Sequence, residues 1–506
     1  MKTKNINRRG FLFQAGLSSA ALPLITILNS CSASTVNTTF QKTPVDVELS
    51  ITAAFDQVQI FPGKKTDVWR YQGEVLNGSP GHIQYLPDSY LGPIIRLKQG
   101  QKVRIHFYNE LSEPSIIHWH GLHVPESADG HPRFAIAPGE KYTYEFTVLD
   151  RAGTYWFHPH PHGRTGPQVY NGLAGLFIVS DDEESTIGLP SGKYDLPLVI
   201  QDRTFDENNQ LMYGSTNMMG QMIGFLGNQV LVNGQPNYFI NAERRSYRLR
   251  LLNGSNARIN KLAWNDGRSL TVIGTDGGLL EKPIQRSYIT LAPAQRIELW
   301  VDLSKQEINS QLKLINLPAD TPGGDVQFNV FTITMNEKTE STSLLPDHLT
   351  FHSLNKESNA VNLTAERTFD LAMGMGMVWN INGRTFEMEK VASDETVQLG
   401  DLEVWKFNNV GGRGMGMSLP HPMHIHGLQF QILDRQINPA LKTTWSSVSD
   451  GFVDEGWHDT VLVMPGESVR ILLKFEDFPG LFLYHCHNLE HEDMGMMRNY
   501  LIEDSS

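Results

Sequence analysis

The sequence predicts an all-β protein built from three consecutive, related β-sandwich domains. After residue 45, short β-branched and aromatic runs alternate with Gly, Pro, Asn and Asp, and long helical periodicities are few. One strand motif recurs. Val103-Arg-Ile-His-Phe-Tyr-Asn109 is echoed by Tyr247-Arg-Leu-Arg-Leu-Leu-Asn253 and, more loosely, by Glu403-Val-Trp-Lys-Phe-Asn-Asn409. The length of 506 residues suits about three domains.

Taken in order, residues 1–34 read as an export signal. Asn7-Arg8-Arg9-Gly10-Phe11-Leu12 has the paired arginines of a twin-arginine signal, and an apolar run follows from Ala15 to Leu28. That run is too short and too poorly flanked for a membrane span. The expectation is a periplasmic protein exported already folded, a route that suits a chain loaded with a cofactor beforehand. Leu28-Asn29-Ser30-Cys31 resembles a lipobox, so a lipid anchor at Cys31 and ordinary cleavage after Ser32-Ala33-Ser34 both remain open. Residues 32–45 are rich in Ser, Thr and Asn and read as a tether.

The three domains are expected at 45–183, 194–340 and 365–506, with linkers near 183–194 and 340–365. The first and third match beyond the shared strand. His118-Trp-His120-Gly-Leu answers His424-Ile-His426-Gly-Leu, and Pro138-Gly-Glu answers Pro465-Gly-Glu. Each Pro-Gly-Glu lies 20 residues before a histidine, His158 or His485, reached through a Gly-x-x-x-x lead-in. The middle unit keeps the strand and a turn at Ala292-Pro293-Ala294 but carries no histidine, and is expected to be structural.

Composition narrows the function classes. A net charge of −13 argues against a nucleic-acid partner. The only cysteines are Cys31 and Cys486, so the exported chain would keep one free thiol, where exported proteins normally pair theirs. Ligation to a metal would protect it.

Ten of the 18 histidines fall in four compact clusters: His118 with His120, His158 with His160, His421 with His424 and His426, and His485 with His487 and His491. The last surrounds Cys486 and ends at Met496. Two imidazoles, a thiolate and a distant thioether form a blue-copper ligand set. If residues 480–486 form a strand, alternation points Cys486 at one metal and its neighbouring histidines at another.

These motifs resemble the three-domain multicopper oxidases, the laccase-like family that includes periplasmic cuprous oxidases and spore-coat laccases. The resemblance implies cupredoxin-like Greek-key sandwiches and four copper ions. Type-1 copper would be held by His421, Cys486, His491 and axial Met496. Type-2 copper would take His118 and His424, and the type-3 pair His120, His158, His160, His426, His485 and His487. The implied reaction couples four one-electron oxidations to reduction of O2 to water. Asp129 and Glu492 match the carboxylates that supply protons in such enzymes. His162 exceeds the requirement, and His458 reads as a loop residue near the type-1 rim.

The donor is less clearly written. Methionine numbers 17, with Met373-Gly-Met375-Gly-Met377, Met415-Gly-Met417, the group Met218, Met219 and Met222, and Met494 and Met497 beside the axial ligand. Thioethers suit Cu(I), although methionines also fill core gaps. The chain lacks the long Met/His-rich insertion of the cuprous oxidases, and Met417 stands where they place an acid. The expectation is an open type-1 rim and a monomeric, laccase-like oxidase of phenols and aromatic amines with some Cu(I) activity. The alternatives are a dedicated cuprous oxidase of copper tolerance and homeostasis, or a non-enzymatic envelope protein of the same fold.

Overall fold

The recurring strand motif occupies the same structural position three times. The computed structural model describes residues 44–214, 218–337, 343–374, 376, 378–412 and 418–504; the twin-arginine motif, Cys31, Met375, Met377, Met415 and Met417 lie outside them. Strand Lys102–Asn109 pairs in parallel with Val47–Val58 and antiparallel with Lys141–Thr147. Ser246–Asn253 stands likewise between Asp195–Arg203 and Arg296–Asp302, and Leu402–Gly412 between Arg367–Met373 and Glu467–Lys474.

The asparagine that closes each motif explains why the motif travels with a Pro turn. A buried amide must find partners. Asn109 Nδ2 donates to Ile136 O at 3.0 Å, Asn253 Nδ2 to Leu291 O at 2.8 Å, and Asn409 Nδ2 to Val463 O at 3.2 Å. The turns answer, with the N–H of Gly139, Ala294 and Gly466 donating to the carbonyls of Asn109, Asn253 and Asn409. That turn residue is left-handed, with φ of 81°, 73° and 73°. Glycine adopts this freely, whereas Ala294 bears a cost of about 1 kcal/mol.

Each repeat is a sandwich of two sheets, giving three cupredoxin-like β-sandwich domains. In the first, a four-stranded sheet faces one whose strands run Ile83–Gln84, Ile94–Lys98, Gly175–Ser180, Gly153–Pro159 and Ile117–His120. Val47, Leu49, Ile51 and Ala53 are buried at the period of two that a one-sided strand requires. The middle sandwich joins seven-stranded and five-stranded sheets. In the third, two five-stranded sheets pack over Trp405, Phe407, Ile471 and Tyr484. Its second sheet runs Thr396–Gln398, Met497–Glu503, Gly480–Cys486, His421–Ile425 and Thr460–Val463.

The histidine clusters sit on paired strands of these second sheets. His118 lies opposite His158, His424 opposite His485, and Met423 opposite Cys486. Among the described residues no helix is long and apolar enough to cross a membrane.

Candidate metal centres

Strand Gly480–Cys486 separates two sites. Alternation sends Cys486 into the third sandwich and His485 toward the first. Inside the third sandwich, Cys486 Sγ lies 3.5 Å from His421 Nδ1 and 3.6 Å from His491 Nδ1, and the two nitrogens are 3.2 Å apart. The short helix Leu489–Asp493 presents His491. Gly495, at φ 103°, turns the chain back so that buried Met496 bonds through its main chain to both Cys486 and His491. Cys486 is a free, buried thiol whose pKa is pushed up by burial. A cation here would reverse that shift, since a coordinating thiol is deprotonated.

The other eight histidines meet between the first and third sandwiches, four from each. Their shortest approaches divide them two, three and three. His118 Nε2 is 3.3 Å from His424 Nε2. His485 Nε2 is 3.0 Å from His426 Nε2 and 3.3 Å from His160 Nε2. His158 Nε2 is 3.4 Å from both His120 Nδ1 and His487 Nε2. At up to 4.8 Å, His118 also groups with His424 and His426 and, separately, with His120 and His158. The His118 and His426 rings stack at 3.7 Å, so His118 lies beside both trios while its shortest contact is to His424.

Second partners fix most of these rings. His118 Nδ1 donates to Asp129 O at 2.6 Å and His424 Nδ1 to Asp459 O at 2.8 Å. The carboxylates then cross over. Asp129 Oδ2 accepts from His426 Nδ1 at 2.8 Å, and Asp459 Oδ1 accepts from His120 Nε2 at 3.0 Å. Each aspartate therefore holds one histidine of its own sandwich through the main chain and one of the other through its side chain. Glu492 reaches His485 Nδ1 at 3.2 Å and His160 Nε2 at 3.5 Å.

The electrostatics suit a cation. Burial, reinforced by neighbouring imidazoles, lowers the pKa of His120, His158, His424, His426 and His487 well below the usual range. It takes His160 and His491 down to about 3. Burial opposes ionisation of Glu492 too, but the adjoining His160 and His485 rings lower its pKa below the usual carboxylate range. Neutral imidazoles aiming nitrogens at one another, with acids behind them, form a donor set that fits copper or another imidazole-binding metal, and the thiolate site favours copper.

All twelve expected ligands thus gather into these two sites or onto the loop that closes them, and both expected acids touch cluster histidines. Several expectations fail. The type-1 rim is not open, because the middle sandwich covers it. The carbonyl of Met222, on helix Met218–Ile223, accepts from His491 Nε2 at 2.7 Å and from Trp379 Nε1 at 3.2 Å. Ile223 O accepts from Asn488 Nδ2 at 2.9 Å, and Phe225 N donates to Glu490 at 2.9 Å. The middle domain is therefore no mere spacer. Asp459, which the sequence reading passed over, lies on the cluster. His162 is exposed, its ring against Phe386.

His458 is not a rim loop residue. It is buried, pairs its main chain with Phe430, and sits 3.6 Å from Asp276 of the middle sandwich. Burial alone would lower its pKa, but Asp276 and Asp454 raise it above the ordinary value. Its stabilisation is therefore full below the unfolded value and is lost as pH rises through the folded one. His458→Gln should cost about 1–3 kcal/mol at about pH 6 and less at about pH 9, read as the gap in unfolding midpoint from wild type. A gap that grew with pH would reject the charged pairing.

Comparison with known proteins agrees with this geometry. Two multicopper oxidase profiles match residues 67–184 and 345–506. The chain is 34% identical over 451 residues to the multicopper oxidase mco of Staphylococcus haemolyticus, covering 87% of this chain and 91% of that one. It is 31% identical over 486 residues to a laccase of Bacillus stratosphericus, covering 86% and 90%. The crystal structure of the McoA multicopper oxidase from the hyperthermophile Aquifex aeolicus superposes with a TM-score of 0.76 at 38% identity, covering 91% and 97%. Two histidine-lined sites on a three-sandwich frame, together with these relatives, make the chain a member of the multicopper oxidase family.

Proposed function

We propose that the protein couples one-electron oxidation of a small donor at the His421–Cys486–His491 site to reduction of O2 at the eight-histidine cluster. The carrying observation is the run His485-Cys486-His487, whose members face the two sites in turn. Four copper ions would be held, one by His421, Cys486, His491 and Met496, one by His118 and His424, and two by the remaining six histidines. Copper would supply the single-electron exchange at the first site and the oxygen chemistry at the second. Asp129 and Glu492 are placed to pass protons beside the cluster, since Asp129 accepts from the His426 imidazole and Glu492 lies 3.2 Å from that of His485. Export by the twin-arginine route to the periplasm is part of this reading.

Phenols and aromatic amines are the proposed donors on the likeness to laccases, no longer on an open rim, with Cu(I) accepted as well. A second reading, a dedicated cuprous oxidase, draws support from the cover. Fully buried His491 meets a methionine carbonyl rather than solvent, and Met373 lies opposite Trp379, whose ring packs 4.6 Å from His491. Oxygen consumption with a phenol, with and without excess Cu(II), and with Cu(I) alone separates the two. Phenol turnover without added copper supports the first reading, and turnover only through Cu(I) supports the second. A wild-type protein that binds no copper and shows no blue absorption would overturn both.

A further inference from the structure

The middle sandwich contributes no histidine, yet one of its side chains reaches the cluster. Arg296 is fully buried, at the start of strand Arg296–Asp302. Its guanidinium grips Asp459 with two nitrogens, Nη1 to Oδ1 at 2.7 Å and Nη2 to Oδ2. The remaining donors are also used. Nε donates to Thr154 O of the first sandwich at 2.9 Å, Nη1 to Ala294 O at 3.1 Å and Nη2 to Asp276 O at 3.0 Å. One planar fork thus ties all three domains, a geometry that an ammonium cannot reproduce.

What the fork holds is the aspartate that orients a histidine from each half of the cluster. Asp459 Oδ1 accepts from His120 Nε2, and its carbonyl from His424 Nδ1. Thr460 Oγ1 also donates to Oδ1 at 2.9 Å. The chain makes room for this contact. Gly121, following His120 at φ 91°, is where a Cβ would collide with Asp459 and lie 2.8 Å from Arg296 Nη2. Asp129, the counterpart on the other side, has no arginine among its partners, and its Oδ1 makes no hydrogen bond among the described residues.

We infer that Arg296 is a positioning residue for the trinuclear cluster, holding Asp459 so that His120 and His424 keep the ring orientations needed to share their ions. The cluster's geometry is set from a third domain that supplies none of its ligands. This rests on the copper reading above.

The test compares wild type, Arg296→Lys, and the double variant Arg296→Met with Asp459→Asn, which removes both buried charges together so that neither is stranded. The readouts are copper per chain, copper retention against a chelator, the electron paramagnetic resonance signal of the isolated cluster copper, and the blue absorption of the Cys486 site. Arg296→Lys should keep the blue absorption and lose cluster copper to the chelator about ten- to a hundredfold more readily, with an altered resonance signal. The double variant should show the same altered signal. Unchanged resonance and retention in Arg296→Lys would overturn the inference, as would loss of the blue site in parallel with the cluster, which would mean general unfolding. A wild type without cluster copper would instead defeat the underlying reading.

Discussion

Replacing Cys486 with serine is expected to abolish the blue absorption and to reduce donor oxidation at least about a thousandfold, because a hydroxyl cannot supply the thiolate on which that site depends. The fold should survive. Serine is close in size, and Asn488 N, now 3.4 Å from Sγ, can donate to the new hydroxyl, so the cost is about 1–3 kcal/mol for a buried polar group. The eight-histidine cluster shares no ligand with Cys486 and should keep its metal. The variant should therefore bind about one copper fewer than wild type and still consume O2 if its cluster is reduced by other means. Metal analysis with visible spectroscopy checks this, and a variant that stays blue would refute the assignment.

Asp129→Asn carries the second large effect. Asparagine keeps an oxygen able to accept from His426 Nδ1, now 2.8 Å from Oδ2, so the ring orientation should hold. What disappears is a carboxylate able to carry a proton. Reoxidation of the reduced enzyme by O2 should slow by about 10²–10⁴, the usual contribution of a positioned acid or base, with blue absorption intact. Rapid-mixing measurement of reoxidation separates this from donor oxidation. Blue colour lost along with turnover would assign Asp129 a structural role instead.

Much of this architecture was legible because the same physical problem is solved three times. A strand ending in buried asparagine and a Pro turn that receives its amide leave a readable period, and histidines in an x-alternating pattern announce a shared face. The histidine at 421 could be joined to Cys486, 65 residues away, only through the resemblance to the multicopper oxidases.

Asp459 was hidden for a specific reason. It performs for the third sandwich what Asp129 performs for the first, but it follows His426 by 33 residues, whereas Asp129 follows His120 by nine. No fixed spacing could pair them. Arg296 was hidden because its domain carries no histidine to mark which of its side chains reaches the cluster. The cover over His491 could not have been read at all, since Met222 acts through its carbonyl, a group every residue possesses.

The equal division of the eight histidines has a thermodynamic consequence. Any ion they share is bound only while the first and third sandwiches are docked, so its binding free energy is also docking free energy. By linkage, a metal at a hundred times its dissociation constant adds about 2.7 kcal/mol to that association. The Cys486 site draws its ligands wholly from the third sandwich, so its binding energy falls on that domain and on the Met222 contact that holds His491 from the middle one. Stripping metal from the two places should thus loosen different things: chelation at the cluster weakens a docking that Asp129, Asp459 and Arg296 still bridge, and loss of an ion at Cys486 softens the third sandwich. A calorimetric trace of the partly loaded protein should split into separate transitions where the fully loaded protein unfolds as one.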